Sequence, residues 1–278
     1  MGATPEASPL GLIAGNGRFP FLVAAAGRRA GRRVVAVAIE EETDPALEGT
    51  VDEIHWVSLG QLGRCIDALK AGGVREAVMA GQVKHRQIFA GIVPDLKMMG
   101  VLARLAVKST DSLIGAVADA LGREGIALLP STALLQDQMA TPGAMGRRRP
   151  SSDELKDVEY GREVARALAA FDVGQTVVVK DRAAVAVEAM EGTDEAIRRA
   201  GRIAGPGCTV VKVAKPRQDV RFDVPVVGPG TVTAMREAGA TTLALQAGAT
   251  LLLDRALLLA EADGAQVALW GFEAPARP

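Results

Sequence analysis

The first half of this chain alternates short β-type runs with helical stretches. The β-type runs lie at 10–14, 34–39, 54–57, 77–80 and 126–129, and the helical patterns lie at 19–30, 59–71 and through most of 87–122. Such alternation is typical of parallel strands joined by crossover helices. We therefore expect residues 10–138 to form a Rossmann-like N-terminal domain of the α/β class, built on a parallel sheet.

The second half begins after a segment with the composition of a linker. Residues 139–152 gather Pro, Gly, Ser and three consecutive arginines with little apolar content. Ser151 and Glu154 have the spacing of a capping box, which predicts a helix that runs to about residue 169. Further β-type and helical runs lie at 176–179, 184–188, 193–204, 209–213, 242–245, 250–253 and 267–270. They predict a second, mixed α/β domain over 153–274, with its first two strands in a hairpin.

Composition argues against several classes of protein. A net charge of −1 and 3% aromatic residues speak against nucleic acid as a partner, because phosphates attract basic surfaces and bases stack on rings. Cys65 and Cys208 lie far apart in no metal-type spacing, so we interpret both as reduced packing residues. The first residues lack the features of a secretory signal, which favours a cytoplasmic location. No apolar run reaches the ~18 residues of a spanning helix, so we expect any membrane contact to be peripheral.

A glycine-rich turn stands near the start of the chain. The run 11–20, GLIAGNGRFP, reads as a strand, a turn and a helix, and backbone N–H groups at Gly15, Asn16 and Gly17 can face an anion there. Its spacing matches neither the dinucleotide fingerprint nor the P-loop. A tight turn that needs glycine for its backbone angles is the equal alternative. Lys84 follows a later strand at its carboxyl end, where it meets either a phosphate or only solvent.

The run 212–231, KVAKPRQDVRFDVPVVGPGT, interleaves carboxylates with cations. That mixture suits a hard divalent cation and the phosphates that it neutralises. Asp219, Arg221 and Asp223 alternate, which is also what the polar face of an edge strand looks like, and this alternation would place all three on one side. Asp223 precedes a Val-Pro pair and is expected to be fixed as a metal ligand or base. Lys215 and Arg221 suit phosphate oxygens.

An acidic run at 188–195, EAMEGTDE, adds further carboxylates. Asp194 and Glu195 fall in the first turn of a predicted helix, where acidic residues are ordinary partners of the helix dipole. Glu188 and Glu191 end a predicted strand three residues apart and can face a shared cation. We therefore treat the second pair as the stronger candidates for function.

Large apolar residues at helical spacing fill the run 88–108, among them Leu96, Met99, Leu102 and Leu105. Core packing is the first interpretation. The alternative is a pliable surface for acyl chains, rimmed by cations that favour anionic lipid headgroups.

Several motifs in combination resemble those of one bacterial enzyme family. They are LGLIAGNGRFP, AGQVK, FDVGQTVVV, VEAMEGTDE, KVAKPRQDVRFDVPVVGPGT and ALQAGATLLLD, and the likeness extends from residue 10 to residue 270. The chain resembles the UDP-2,3-diacylglucosamine pyrophosphatases of the LpxI type. The resemblance implies hydrolysis of UDP-2,3-diacylglucosamine to UMP and 2,3-diacylglucosamine 1-phosphate (lipid X) in lipid A biosynthesis, with Mg²⁺ or another divalent cation.

The charge alternation and the resemblance together assign roles to single residues. Asp223 is expected to be the principal metal ligand or water-orienting base, with Asp219 and Glu191 as supporting ligands. Residues expected to bind the substrate are Gly15, Asn16, Gly17, Lys84, Gln175, Thr193, Lys212, Lys215 and Arg221. The resemblance further implies that the two domains close on the lipid, at or near the cytoplasmic face of the inner membrane.

Two other functions are left open by the sequence. A nucleotide-sugar transferase would share the diphosphate and the metal but pass the sugar to an acceptor. A non-catalytic protein that binds a phospholipid or nucleotide sugar would bind the lipid without forming a product. Homo-oligomer formation is also left open.

Overall fold

The computed structural model describes residues 8–83, 93–105, 110–216 and 218–274, with only the backbone of Thr110 and Asp111. The chain divides into two compact units. One comprises the described part of Met1–Leu135 together with Val220–Asp223, and the other comprises Gln136–Asp219 and Val224–Pro278. The domain limits expected from composition, 10–138 and 153–274 with a linker between them, stay predictions.

The first unit is built on a five-stranded parallel sheet. Its strands are β1 (Leu10–Ala14), β2 (Val34–Ile39), β3 (Glu53–Val57), β4 (Glu76–Ala80) and β5 (Ala127–Leu128), in the spatial order β3-β2-β1-β4-β5. Its helices are α1 (Phe19–Arg29), α2 (Leu62–Ala71), α3 (Leu96–Leu102) and α4 (Thr110–Arg123), and a 3₁₀ turn spans Pro45–Thr50. Apolar side chains on one face, such as Val35 and Val37, pack against Leu69 and Leu121 of the helices.

The second unit is built on a six-stranded mixed sheet with the order β6-β13-β11-β9-β7-β8. Its strands are β6 (Gly143–Ala144), β7 (Thr176–Lys180), β8 (Ala183–Val187), β9 (Thr209–Lys212), β11 (Thr242–Gln246) and β13 (Ala268–Phe272). β9, β11 and β13 run parallel, whereas β7 runs antiparallel to both β9 and β8. β10 (Val226–Val227) and β12 (Leu251–Leu252) form a separate parallel pair. The fold class expected from the sequence is confirmed.

Helices cover both faces of the mixed sheet. They are α5 (Ser152–Ala170), α6 (Thr193–Ala204), α7 (Pro229–Ala238) and α8 (Arg255–Gly264). α5 packs Val158 and Ala165 on one face against Val177 and Val211 of the strands. α6, α7 and α8 fill the opposite face, where Ile197 meets apolar strand residues. The inner strands β7 and β9 are thus buried between two helical layers, which explains their runs of valine.

The start of α5 shows how strongly local sequence decides structure. Ser151 Oγ accepts from the backbone N–H of Glu154 (3.2 Å), and Glu154 Oε2 accepts from the N–H of Ser151 (2.7 Å), so the predicted capping box is confirmed. Arg148 donates to both carboxylate oxygens of Glu154, at 2.8 and 3.0 Å. Burial alone would raise the pKa of Glu154, but hydrogen bonds from Arg148, Thr241 and Ser151 lower it to about 2.

Three expectations about elements were wrong or incomplete. α7 and α8 were not predicted as helices. In the described part of 88–108, Leu96 and Met99 are 86% and 53% exposed, so they are not core residues. Met98 and Val101 pack inward instead, because the buried face of α3 lies one position earlier than assumed.

Both cysteines are free and buried, as expected. Burial, and then the negative charge of Asp95, raise the pKa of Cys65 to about 12. Among the described residues, no helix is both long enough and apolar enough to cross a bilayer.

Candidate functional site

The carboxyl edge of the second sheet gathers polar residues from distant parts of the chain. β9 ends at Lys212, and Thr176, the first residue of the antiparallel β7, lies opposite it. β8 ends at Val187, so Glu188 follows at the same edge, and its N–H donates to Thr176 O (2.9 Å). Ligands of α/β sheets bind at this edge, beyond the carboxyl ends of the parallel strands.

A buried ion pair occupies the centre of this edge. Lys212 is 3% exposed, and its Nζ donates to Thr193 Oγ1 (2.7 Å) and Thr176 Oγ1 (3.3 Å). Thr193 Oγ1 in turn donates to Glu188 Oε1 (2.7 Å), and Glu188 Oε2 lies 3.8 Å from the ammonium group. We call Lys212, Glu188, Thr193 and Thr176 the buried polar network. The carboxylate balances the charge of the ammonium group, which makes burial of both groups tolerable.

Gln175 borders the buried polar network. Its N–H donates to Glu188 Oε2 (3.4 Å), and its carbonyl accepts from Val213 N–H (2.9 Å). The side-chain Oε1 is buried and has no hydrogen-bond partner among the residues that the structure describes. Buried polar atoms of this kind are rare in folded proteins, so a donor supplied by a ligand would satisfy it.

Two helix N-termini flank the same edge. α6 begins at Thr193 after Gly192, whose φ is 85°, and α7 begins at Pro229 after Gly228. Thr231 Oγ1 of α7 donates to Asp194 Oδ1 of α6 (2.9 Å), which ties the two starts together. Asp194 therefore has a structural role at the helix start, in keeping with its interpretation from sequence.

Two further predicted site residues, Lys215 and Glu191, also form ion pairs at this edge. Lys215 Nζ lies 2.7 Å from Asp172 Oδ1, in the turn that ends α5. Arg199 donates to Glu191 Oε1 (2.6 Å). Hydrogen bonds from its own backbone amide, then from Arg199 and Ala189, lower the pKa of the Glu191 carboxyl. Glu191 is thus a carboxylate already engaged by a cation.

The segment that carries Asp219, Arg221 and Asp223 is not a strand. Residues 220–222 form a turn and the rest of 218–225 is irregular, so the predicted alternation of sides does not apply. Val220–Asp223 belongs to the first unit, where Val220 O accepts from Ser131 N–H (2.9 Å). Asp219 belongs to the second unit. The two-residue alternation of a strand does not predict side-chain directions here, because Pro216 and Pro225 flank the segment and proline disfavours strand pairing.

No metal centre is assembled from protein side chains alone in the described ranges. Among those residues, no group of three or more His, Cys, Asp or Glu side chains is placed to hold an ion. Asp223 belongs to the first unit, whereas Asp219 and Glu191 belong to the second, and the ligand set of these three carboxylates stays a prediction.

In the first unit, the glycine turn meets the turn that follows β4. Asn16 and Gln82 exchange backbone hydrogen bonds of 2.7 and 3.1 Å, and a β carbon at Gly15 would lie 2.6 Å from Gln82 O. Asn16 Nδ2 also donates to the buried Glu42 (3.1 Å). Neighbouring strands β1 and β4 form the switch point of this sheet, where ligands of such folds bind. Gly17 lies in the same turn, whereas Lys84 lies outside the described residues.

Glu188 was a candidate for function from the sequence, but it received no place among the expected metal ligands and substrate-binding residues. Its contact with Lys212 depends on the register of the β7–β8 hairpin, which places 176 opposite 188. The available signal was the position of Glu188 at the end of a predicted strand, three residues before the EGTD sequence that begins at Glu191.

Comparisons with known proteins cover nearly all of the chain. Residues 9–138 match the model of the LpxI N-terminal domain, and residues 141–270 match the model of the LpxI C-terminal domain. The chain is 31% identical over 280 residues to a UDP-2,3-diacylglucosamine pyrophosphatase LpxI from Caulobacter vibrioides, with coverage of 97% of this chain and 99% of that protein.

Likeness to solved structures is weak. A precorrin-6A reductase is 13% identical, with a TM-score of 0.31 and coverage of 98% of this chain and 90% of that one. A biotin carboxylase domain from Hydrogenobacter thermophilus is 16% identical, with a TM-score of 0.26 and coverage of 71% and 41%.

Proposed function

Because the chain belongs to the LpxI family, we propose that it is a hydrolase that cleaves the pyrophosphate of UDP-2,3-diacylglucosamine. The products are UMP and 2,3-diacylglucosamine 1-phosphate, and the reaction belongs to lipid A biosynthesis. The observation that carries the proposal is the 31% identity to the Caulobacter vibrioides enzyme over 97% of the chain.

Charge at the carboxyl edge of the second sheet supports a diphosphate substrate. Lys212 and Lys215 lie there, paired with Glu188 and Asp172, and the starts of α6 and α7 at the same edge carry no side-chain cap. Helix N-termini and ammonium groups both favour phosphate oxygens. The unsatisfied Oε1 of Gln175 accepts a hydrogen bond from the substrate in this proposal.

We keep the assignment of Asp223 as the principal metal ligand or water-orienting base, with Asp219 as its support. Glu191 joins them only when its ion pair with Arg199 opens. Arg221, Lys215 and Lys84 neutralise the diphosphate. The turn with Gly15, Asn16 and Gly17 binds another part of the substrate through its backbone.

We propose that activity depends on Mg²⁺ or another divalent cation. Mg²⁺ is commonly held by one or two carboxylates together with substrate phosphates, so it needs no cage of three protein ligands. When bound, the ion supplies neutralisation of the phosphate charge and polarisation of the phosphorus that is attacked. Asp223 and Asp219 have the carboxylate chemistry that this role requires.

The expected location follows from the substrate. A lipid with acyl chains resides in a membrane, so we propose a cytoplasmic protein that contacts the inner membrane peripherally.

Hydrolysis in H₂¹⁸O tests the function directly. The protein is incubated with UDP-2,3-diacylglucosamine, with and without EDTA, and both products are weighed by mass spectrometry. We expect UMP to be released with water as the only acceptor, and we expect turnover to be lost in EDTA. The ¹⁸O label should appear in one product only. Label in UMP indicates attack on the α phosphorus, and label in the lipid phosphate indicates attack on the β phosphorus.

Variants of single carboxylates test the residue assignment. Asp223→Asn should lose at least about a hundredfold in kcat, in the range of other groups that act on the transition state. Asp153→Asn is the matched control, since Asp153 is an exposed carboxylate on α5 paired only with Lys156 among the described contacts. Full Mg²⁺-dependent turnover by folded Asp223→Asn would reject the assignment, and binding of the lipid without any cleavage by the natural protein would favour a silent binding protein.

A further inference from the structure

Three exposed apolar side chains lie on two turns of the second unit. Phe171 and Val173, at 82% and 45% exposure, flank Asp172 in the turn that ends α5. Met190, at 83% exposure, lies in the turn between β8 and α6. We call these three residues the apolar rim.

The first turn has a geometry that commonly buries such residues. Asp172 takes a left-handed conformation with φ of 57°, and Val173 N–H donates back to Leu168 O (3.3 Å). In helix endings of this kind, an apolar residue after the left-handed position frequently packs on the last helical turn. Here Phe171 and Val173 remain open to solvent, so their apolar character does not serve the helix ending.

Both turns border the buried polar network. A β carbon at Gly174 would lie 2.0 Å from Glu188 O, so the turn after α5 touches the end of β8 directly. Asp172 pairs with Lys215 at 2.7 Å, which fastens the same turn to the segment after β9. Met190 follows Glu188 by two residues. The apolar rim therefore lies next to the cations that the proposed function gives to phosphates.

Isolated exposed hydrophobic residues are normal on protein surfaces. Three of them on adjoining turns, beside one cluster of charged groups, form an amphiphilic surface instead. A ligand that matches this amphiphilic surface carries phosphate groups and apolar chains on one small scaffold. We propose that the apolar rim contacts the acyl chains of the substrate while the neighbouring cations hold its phosphates, an inference that rests on the proposed function.

Chain-length dependence of the kinetics tests this inference. The double variant Phe171→Ser with Met190→Ser is compared with the natural protein at fixed detergent concentration. Two substrates are used, the long-chain diacyl nucleotide sugar and its counterpart with two acetyl groups. We expect KM for the long-chain substrate to rise about tenfold or more, because apolar burial is lost, with kcat unchanged. KM for the acetyl substrate should stay the same.

Ile203→Ser is the matched control, since Ile203 is 63% exposed on α6 but belongs to neither turn. It should leave KM unchanged for both substrates. Equal losses on the long-chain and acetyl substrates, or no loss on either, would overturn the inference while leaving the proposed function intact. Reduced binding to phosphatidylglycerol vesicles without a change in KM would also overturn it, in favour of a bilayer contact. No release of UMP by the natural protein would overturn the proposed function and the inference with it.

Discussion

Replacing Lys212 by methionine removes one charge from the buried polar network, together with the hydrogen bonds that its ammonium group donates to Thr193 and Thr176. Methionine has a similar length and no ammonium group, so the side-chain volume is nearly kept. Glu188, which is 8% exposed, then loses the cation 3.8 Å from its carboxylate. It keeps the hydrogen bond from Thr193 Oγ1 at 2.7 Å.

Breaking a buried ion pair from one side typically costs about 3–5 kcal/mol, since the remaining charge is left uncompensated. The separation of 3.8 Å and the retained Thr193 hydrogen bond place this case at the low end, at about 3 kcal/mol. For a unit of this size, each kcal/mol lowers Tm by roughly 2–4 °C. We therefore expect Tm to fall by roughly 6–12 °C.

Thermal and urea unfolding followed by circular dichroism measure this loss. Lys215→Met is the matched control for stability, because Lys215 pairs with an Asp172 side chain that is 61% exposed, and such pairs contribute about 1 kcal/mol or less. Adding Glu188→Gln to Lys212→Met should recover part of the stability, since the uncompensated carboxylate is gone. Equal destabilisation by the two lysine variants, or no recovery in the double variant, would refute the idea that charge balance holds this edge together.

Further predictions concern pH, backbone geometry and thiol chemistry. The pKa of Glu154 is about 2 in the folded protein against an ordinary value of 4.5, so its contribution to stability is present above pH 4.5 and is lost as the pH falls towards 2. Glu154→Gln should flatten that part of a Tm–pH curve. Gly15→Ala should destabilise the protein by at least about 1 kcal/mol because its β carbon meets a carbonyl, while Gly115→Ala, with open space in α4, should be neutral or stabilising; urea unfolding measures both. Burial raises the pKa of Cys65 to about 12 and also raises that of Cys208, so Ellman's reagent at pH 8 should react with neither thiol until the protein is unfolded.

Elements whose signal is local were predicted well from the sequence. The hairpin and the capping box at Ser151 follow from patterns within a few residues, and the parallel sheet follows from the alternation of such local patterns along the chain. α7 was missed because Gly228, Pro229 and Gly230 look like a turn, although proline at the first helical position is also a normal helix start. The buried face of α3 and the strand at Asp219 were predicted wrongly for the same reason. In each case a regular spacing, helical for α3 and alternating for Asp219, was extended over residues that do not follow it.

The candidate site was harder to predict because its contacts join distant strands. Lys212 and Thr193 were expected at the site, yet Glu188 reaches them only through the register of β7 with β8 and β9. Register depends on pairing across the sheet, and no single segment encodes it. Gln175 was expected from a motif alone, and the structure adds its unsatisfied buried oxygen.

The short excursion of Val220–Asp223 into the first unit has a consequence for protein engineering. The chain crosses between the two units three times, at residues 135–136, 219–220 and 223–224. If the gene is divided once near residue 136, the N-terminal fragment lacks Val220–Asp223, whose Val220 carbonyl accepts a hydrogen bond from Ser131 N–H. The C-terminal fragment keeps these four residues without the unit in which they pack. Separate expression of the halves will need a graft of that peptide onto the first fragment and a new bridge from Asp219 to Val224 in the second.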